Sequence, residues 1–360
     1  MYMGEKFIMT IWQEFVDKID IIIPVYHALH KAERTIFSFG NDERFHFTLV
    51  ADGDGEDYSP LLTRFNGIHD IRILTLKQNS GPGMARNTGL LYTNRPYIMF
   101  IDAGDTLIGE PQFLHYLRTI IENPDVVFAS PPHLEEYDNA IEEVSNGNNR
   151  MHGKVYQRAF LMKYNIHFNI REGRNNEDIG FNMSCRMIAS DRSVKENGLY
   201  LLDYDIPMVC WRNDMDSLTR VNNFAFFFQK NNIGLGKNAL YAIKVAMKNN
   251  VEFHLIEELI YNLIAAMYGF YYATVNERPE FIQEQLSGAI YMMKYMFPIL
   301  EEHGGFKKDM MLIAWRNEMR DRFTEGYSSF AVDAPDMSIF QWLDYVKKES
   351  LKSEYDNLLE

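Results

Sequence analysis

Along the first half of the chain the apolar positions fall into two rhythms. Phe7, Ile8, Ile11, Trp12, Phe15, Val16 and Ile19 recur at helical spacing, which predicts a helix over 5–19 packed on the domain that follows. The rhythm then shortens. Ile19–Val25, closed by Pro24, is a continuous apolar run, followed by Phe45–Ala51, Ile71–Leu76 and Tyr97–Ile101. Runs of this length with little polar alternation predict strands buried on both faces. Residues 29–40 read as a helix between the first two runs. After the third, a turn at Gly81–Gly83 opens a helix from Met84 to Tyr92. Strand alternating with helix predicts an α/β fold around a parallel-rich sheet.

Residues 135–150 are acidic and then rich in Asn and Gly, which predicts an exposed loop or hairpin, and 155–164 and 177–190 read as helices. Past residue 220 the pattern becomes wholly helical, in the stretches 222–248, 253–274, 279–301 and 305–323, with many Tyr, Phe and Met. The expected organisation is an α/β domain over 1–220, N-terminal helix included, and a helical domain over 221–360. No internal repeat or low-complexity tract interrupts either part.

Composition narrows the class. With 360 residues, 46% hydrophobic and 24% charged, the chain suits one large or two modest soluble domains. A formal net charge of -14 weighs against wrapping nucleic acid, or adhering to anionic lipid, through charge alone. The two cysteines, Cys185 and Cys210, have no metal-ligand spacing and suggest no disulfide framework, which fits a reducing compartment. No apolar stretch approaches the roughly 20 residues that cross a bilayer. Glu5, Glu14 and Asp17 occupy the region where a signal peptide would be apolar. The expected location is cytoplasmic, with a place at the membrane periphery left open.

Six segments carry candidate chemistry. In Phe100-Ile101-Asp102-Ala103-Gly104-Asp105, two carboxylates follow directly on a buried strand. Open α/β sheets bind ligands at that edge, and carboxylate oxygens there suit a hard divalent cation. A turn with a helix cap uses the same residues. Ile21 to Tyr26 ends a strand in Pro24, Val25 and Tyr26, which can present backbone groups and a ring to a flat base; a plain strand exit is the alternative. In Val50 to Asp57, Asp52 just past a strand can accept a hydrogen bond from a base or ribose. A solvated acidic turn competes with that reading, and the distal Glu of a full calcium loop is missing. Asn79-Ser80-Gly81-Pro82-Gly83-Met84-Ala85-Arg86-Asn87-Thr88-Gly89 is a Gly-rich turn feeding a helix N-terminus, a setting that favours anions, with Arg86 in reach of a phosphate or an acid. It lacks the Lys-Ser/Thr pair of a Walker loop. Asn175 to Phe181 carries Glu177 and Asp178 at a helix start, as caps or as a general base. Trp211 to Thr219 contains Arg212, which can pair with a diphosphate or an acid.

Taken together, in this order, these segments resemble the family 2 glycosyltransferases of GT-A fold, over about residues 19–220. Ile22 to Tyr26 resembles the family's opening strand. Asp52 matches the acid that contacts uracil, and Asn79 to Gly89 resembles the segment lying near the nucleotide. Asp102 and Asp105 stand where the family carries its metal-binding acids. Glu177-Asp178 resembles the pair whose Asp is the base of inverting members. Gly153-Lys154-Val155-Tyr156 with Phe160-Leu161, and Arg212 with Ser217 and Thr219, match the flanking segments. One departure stands out: many relatives carry a further acid in this run, and Gly104 takes its place. The resemblance therefore leaves Asp105 or Asp102 to hold the metal.

What the resemblance implies is an inverting hexosyl- or pentosyltransferase that uses Mn²⁺ or Mg²⁺ and a nucleotide-diphosphate sugar, UDP-sugar first. The implied nucleotide-binding set is Pro24, Val25, Tyr26, Asp52, Asn79, Gly83, Arg86, Asn87, Asp102 and Arg212, with Asp105 and Asp102 on the metal and Asp178 as catalytic base. The expected acceptor is a glycan or glycolipid of a surface polysaccharide or glycoconjugate. Hydroxymethylated bases of viral DNA and a non-catalytic binding module are the alternatives. Residues 221–360 lie outside the resemblance and are expected to bind the acceptor or to form a homo-oligomer. Their aromatic cluster of Tyr261, Tyr268, Phe270, Tyr271 and Tyr272 reads first as packing between helices.

Overall fold

The computed structural model describes residues 12–137, 140–145, 149–171, 176–198, 200–212, 224–277, 279–324 and 337–352. Of the helix expected over 5–19, residues 12–16 are helical and 1–11 lie outside the described residues. The chain divides into two compact units. Residues 1–174 and 181–217 form the first, and 175–180 join 218–360 in the second.

The first unit runs β1 (Ile19–Val25), α1 (Leu29–Phe37), β2 (His46–Ala51), α2 (Ser59–Arg64), β3 (Asp70–Thr75), α3 (Pro82–Tyr92), β4 (Tyr97–Phe100), β5 (Thr106–Leu107) and α4 (Glu110–Ile121). It continues with β6 (Phe128–Ser130), β7 (His133–Tyr137), β8 (Ala140–Val144), β9 (Val155–Gln157), α5 (Arg158–Lys163), α6 (Glu177–Glu196, whose residues 177–180 fall in the second unit), β10 (Leu201–Asp203) and β11 (Val209–Trp211). Seven strands form the main sheet in the order β10-β6-β9-β4-β1-β2-β3. Pairing is parallel throughout except at β9, which runs antiparallel to both β4 and β6. A smaller sheet has the order β5-β11-β7-β8. The expected α/β fold with a parallel-rich sheet is the fold observed.

β1 sits near the middle of the main sheet, and its Ile21, Ile22 and Ile23 are fully buried. Ile21 and Ile23 join Ile36, Phe39, Phe47, Leu49 and Phe113 in one core. On Ile22's side, α3 approaches so closely that a Cβ on Gly89 would lie 2.5 Å from Ile22 Cγ2. Gly89, the last residue of the Gly-rich segment, thus has a packing role.

The helix expected over 155–164 is a correction. Val155 and Tyr156 are strand residues, inserted between β4 and β6, and the helix starts only at Arg158. Sheet pairing with two neighbours overrides the local helical pattern. The hairpin expected within 135–150 is β7 and β8.

The second unit contains α7 (Phe224–Lys248), α8 (Phe253–Glu277), a 3₁₀ turn (Pro279–Phe281), α9 (Ile282–Tyr295), α10 (Phe297–Glu302), α11 (Lys308–Thr324) and α12 (Met337–Glu349). The stretch 279–301, read as one helix, is three pieces; Pro298 falls in the first turn of α10, where it has no helical N–H to lose. Gly180 belongs with this unit because its backbone lies against Asn238 of α7: a Cβ there would be 2.7 Å from the Asn238 carbonyl oxygen. Tyr268 packs on Trp315 and Trp342, with ring centroids 4.7 and 5.3 Å away. Tyr261 and Tyr268 are buried, so the aromatic cluster serves the helical core, while Phe270 is partly exposed. No helix among the described residues is long and apolar enough to cross a membrane.

Two carboxyls of the first unit set a pH dependence. The Glu43 N–H donates to Glu110 Oε1 at 3.2 Å. Burial, and then the neighbouring charge of Glu110, push Glu43 up from the ordinary 4.5 to about 7. Burial, and then Asp42, push Glu110 up to about 7. A raised folded-state value means the folded chain holds these protons more tightly than the unfolded chain. The cost is therefore absent below about pH 4.5 and grows as pH rises toward about 7. Glu43→Gln should raise the melting temperature at pH 8, with the difference narrowing as pH falls toward about 5. Melting curves that differ equally at both pH values would contradict this account.

Candidate functional site

The carboxyl ends of β1, β2 and β4 lie side by side because the three strands are parallel neighbours. The loops leaving them carry most of the residues singled out from sequence. At the end of β1, Pro24 is half-buried and Val25 buried, and Tyr26, just after it, is 47% exposed.

After β2 comes Asp52, which is 4% exposed. Its Oδ1 accepts the Ser80 N–H at 2.7 Å and its Oδ2 the Gly81 N–H at 2.8 Å. This carboxylate ties the Gly-rich turn to the end of β2. Gly81 has φ 89, a value glycine tolerates and other residues rarely adopt, and Gly53 has φ 67 with its α-carbon against the Gln78 backbone. Each oxygen of a carboxylate has two lone-pair sites, so Asp52 keeps acceptor capacity for a ligand.

Two further acids of that loop, Asp54 and Glu56, cap α1. The N-cap, Ala28, has no side-chain oxygen to offer. Asp54 Oδ2 accepts the His27 N–H at 2.6 Å and the Tyr58 hydroxyl at 2.7 Å, and Glu56 Oε2 accepts the Leu29 N–H at 3.2 Å. The Ala28 N–H donates to the Tyr58 oxygen at 3.2 Å. His27, Asp54 and Glu56 are also the one set of three among the described residues whose ligand atoms all lie within 4.8 Å of one another. Helix capping accounts for both acids in that set.

In α3, Arg86 is 3% exposed. Its guanidinium lies 5.3 Å from the Phe168 ring centroid and donates to Asp102 Oδ1 at 2.6 Å. Asn87 is clipped to the backbone of Phe168: Nδ2 donates to its carbonyl and Oδ1 accepts its N–H, both at 2.9 Å. Asn79 lies on the turn held by Asp52, and Gly83 is buried in the first turn of α3.

The two opening acids separate in character. The Asp102 side chain is 43% exposed. Burial pushes its carboxyl up, but Arg86 more than offsets this and holds it below the ordinary range. The Asp105 side chain is 5% exposed, and its Oδ2 lies 2.9 Å from His152 Nδ1. Burial pushes the Asp105 carboxyl above the ordinary range, against the opposing pull of His152. Between them Gly104 has φ 113. Its N–H donates to Thr35 Oγ1 at 2.9 Å and its carbonyl accepts from Arg34 at 3.0 Å. The Thr35 hydroxyl in turn donates to the Asp105 carbonyl at 2.7 Å.

Arg212, at the end of β11, donates to Glu136 Oε2 at 2.6 Å and to Thr106 Oγ1 at 3.1 Å, so its guanidinium is already engaged by an acid. Ser217 and Thr219 lie outside the described residues. Glu177 and Asp178 form the first turn of α6, where acids suit the helix dipole; Glu177 is buried and Asp178 half-buried. Sequence reasoning missed Arg34, Thr35, His152 and Phe168. None forms a local pattern; each is recognisable only by its contact with the acid loop or with Arg86 and Asn87.

A family profile described as Glycosyl transferase family 2 matches residues 20–179. Curated relatives bear the name uncharacterized glycosyltransferase. One from Rickettsia bellii is 28% identical over 135 residues, which cover 36% of this chain and 19% of that protein. One from Rickettsia felis is 30% identical over 134 residues, covering 36% of this chain and 22% of that protein. The chain thus spans about a fifth of the length of the curated relatives it matches. Among solved structures, residues 1–349 of S. aureus TarS superpose with a TM-score of 0.59 at 13% identity, over 86% of this chain and 92% of that one. The same fragment in complex with UDP-GlcNAc gives a TM-score of 0.60 at 13% identity and the same coverage. At this identity the likeness is one of fold, and it is the GT-A fold that the sequence motifs imply.

Asp52→Asn should release the Gly-rich turn. An amide presents one acceptor oxygen where the carboxylate uses two, so the Ser80 or the Gly81 N–H loses its partner, at about 1–3 kcal/mol. Hydrogen exchange should quicken at Ser80 and Gly81 while β1 amides keep their protection. Unchanged exchange at both amides would show that Asp52 does not hold the turn.

Proposed function

We propose, from the match of residues 20–179 to the glycosyl transferase family 2 profile, that this protein transfers a sugar from a nucleotide-diphosphate donor, with UDP as nucleotide, to a hydroxyl acceptor with inversion at the anomeric carbon. The observation that carries the reading is Asp102, a half-exposed carboxylate at the end of β4 beside a turn anchored by Asp52. UDP is favoured because TarS has been solved with UDP and with UDP-GlcNAc.

Each residue then has a physical task. Tyr26 offers an exposed ring edge to the base, and Asp52 keeps acceptor capacity for a base N–H. Arg86, fixed between Phe168 and Asp102, supplies a permanent positive charge at the diphosphate end. The donor set fits a hard cation: Asp102 gives an accessible carboxylate oxygen, and diphosphate oxygens complete such a set. When bound, Mn²⁺ or Mg²⁺ offsets the charge on the departing diphosphate. Asp178 accepts the proton of the attacking hydroxyl. A single displacement needs no enzyme nucleophile, unlike retaining glycoside hydrolysis, in which a second carboxylate attacks the sugar. Arg212 acts here through its ion pair with Glu136.

The acceptor class follows from charge. A net charge of -14 favours a glycan or glycolipid over DNA. The rival reading as a non-catalytic module draws on Gly104 and on the inward carboxylate of Asp105.

A panel of UDP-, GDP- and TDP-sugars, scored by nucleotide release with Mn²⁺, tests the reading. Release from a UDP-sugar is expected; none from any donor would leave the module. Asp178→Asn should lower transfer by about 10²–10⁴-fold with nucleotide binding retained. Transfer at the wild-type rate would remove Asp178 as base. Thorough chelation should abolish transfer and added Mn²⁺ restore it; activity indifferent to chelator would take the metal away from Asp102.

A further inference from the structure

Asp105 faces inward, yet it sits three residues from the carboxylate that faces out. Its N–H donates back to the Asp102 carbonyl at 3.1 Å, so the two acids bracket one tight turn. The turn is clamped twice. Thr35 of α1 holds its backbone, accepting from Gly104 and donating to the Asp105 carbonyl. His152 holds its side chain, with Nδ1 at 2.9 Å from Asp105 Oδ2. His152 is itself confined. Its side chain is 11% exposed, and its ring centroid lies 4.5 Å from that of His133. His133 is fully buried, with Nε2 at 3.2 Å from Glu135 Oε1, and Glu135 is ion-paired with Arg150. Burial pushes His133 down to about 4, which makes it a neutral ring against His152. A chain of polar groups, buried from Glu135 inward, therefore runs from the half-exposed Arg150 to the acid turn, and it ends on the one carboxylate there that does not face solvent.

We propose that His152 is a positioning residue: by holding Asp105 inside, it fixes the 102–105 turn in the conformation that presents Asp102 to a divalent cation and the donor diphosphate. The proposal rests on the sugar-transfer reading. Its physical basis is the cost of an unpartnered buried carboxylate, several kcal/mol in a medium from which water is excluded. Without His152, Asp105 loses the partner that holds it inside, and one of the two clamps on the turn is gone. The turn is only four residues long, so Asp102 moves with it.

Two substitutions at one position separate positioning from bulk. In Asn, Nδ2 stands on Cγ as Nδ1 does in histidine, so His152→Asn keeps a donor toward Asp105; His152→Leu keeps volume and loses the donor. Mn²⁺ is titrated into the full-length protein saturated with UDP, and UDP binding is measured separately without metal. His152→Leu should weaken Mn²⁺ about 10–100-fold, as loss of an outer-shell partner does, while metal-free UDP affinity stays within about twofold. His152→Asn should recover Mn²⁺ affinity to within about threefold of wild type. Asp105→Asn is the companion, since it removes the charge that His152 answers while keeping the shape. It should weaken Mn²⁺ to the same extent, and the loss should not deepen when it is combined with His152→Leu. The proposal is overturned by wild-type Mn²⁺ affinity in His152→Leu, by His152→Asn being as weak as His152→Leu, or by additive losses in the double variant. A wild-type protein that binds UDP and Mn²⁺ but releases no nucleotide from any donor would instead defeat the transfer reading, with His152 judged by the metal titration alone.

Discussion

Burial of β1 on both faces is the constraint from which the site follows. Ile21, Ile22 and Ile23 are fully buried, with β2 on one side and β4 on the other. A strand in that position has neighbours on both edges and both faces buried, so it cannot slip or tilt without exposing apolar area. Its parallel neighbours run in the same direction, β2 ending opposite Val25 and β4 opposite Ile22. Three loops are delivered to one edge of the sheet, and they are too short to carry a core of their own. What shapes them is side-chain-to-backbone hydrogen bonding across long sequence gaps. Asp52 reaches Ser80, Asp54 reaches His27, Thr35 reaches Gly104 and Asn87 reaches Phe168. Each bond satisfies a loop N–H that sheet and helix leave unpaired.

The same economy governs charge. Acids from several separate segments gather around this edge. In the fold most of them are already answered. Asp52 meets two backbone N–H groups, Asp54 and Glu56 complete the start of α1, Asp105 meets His152, and Glu136 meets Arg212. Asp102 keeps a large exposed fraction alongside its ion pair with Arg86. A buried guanidinium next to a half-exposed carboxylate gives a site of low net charge, in which an incoming diphosphate brings most of the negative charge a metal ion would meet.

The main strands and the Gly-rich turn were legible because their signals are local: unbroken apolar runs, and glycines at a strand-to-helix junction. β9 was not, since Val155 and Tyr156 become strand residues only by inserting between β4 and β6. The same distinction divides the site. Asp52, Arg86 and Asp102 stand in short patterns that become readable through the order of the segments. Which acid faces out is decided by residues 47 and 70 positions away in sequence, His152 and Thr35, and no motif joins them to Asp105. The acids at 54 and 56 show the converse: they form a conspicuous cluster whose job is to cap a helix that begins more than twenty residues earlier.

Gly104 marks more than a missing acid. With φ 113, its N–H on Thr35 and its carbonyl on Arg34, the residue holds a backbone shape that side chains of the L series rarely enter. A fuller acidic run is thus not reached by exchanging the side chain at 104 alone. An aspartate at 104 would carry the right charge on the wrong backbone, and to seat it Thr35 and Arg34 would have to release the turn together. The acid turn and the threonine beneath it thus form one mechanical unit, in which the backbone at 104 and the carboxylates at 102 and 105 are set together.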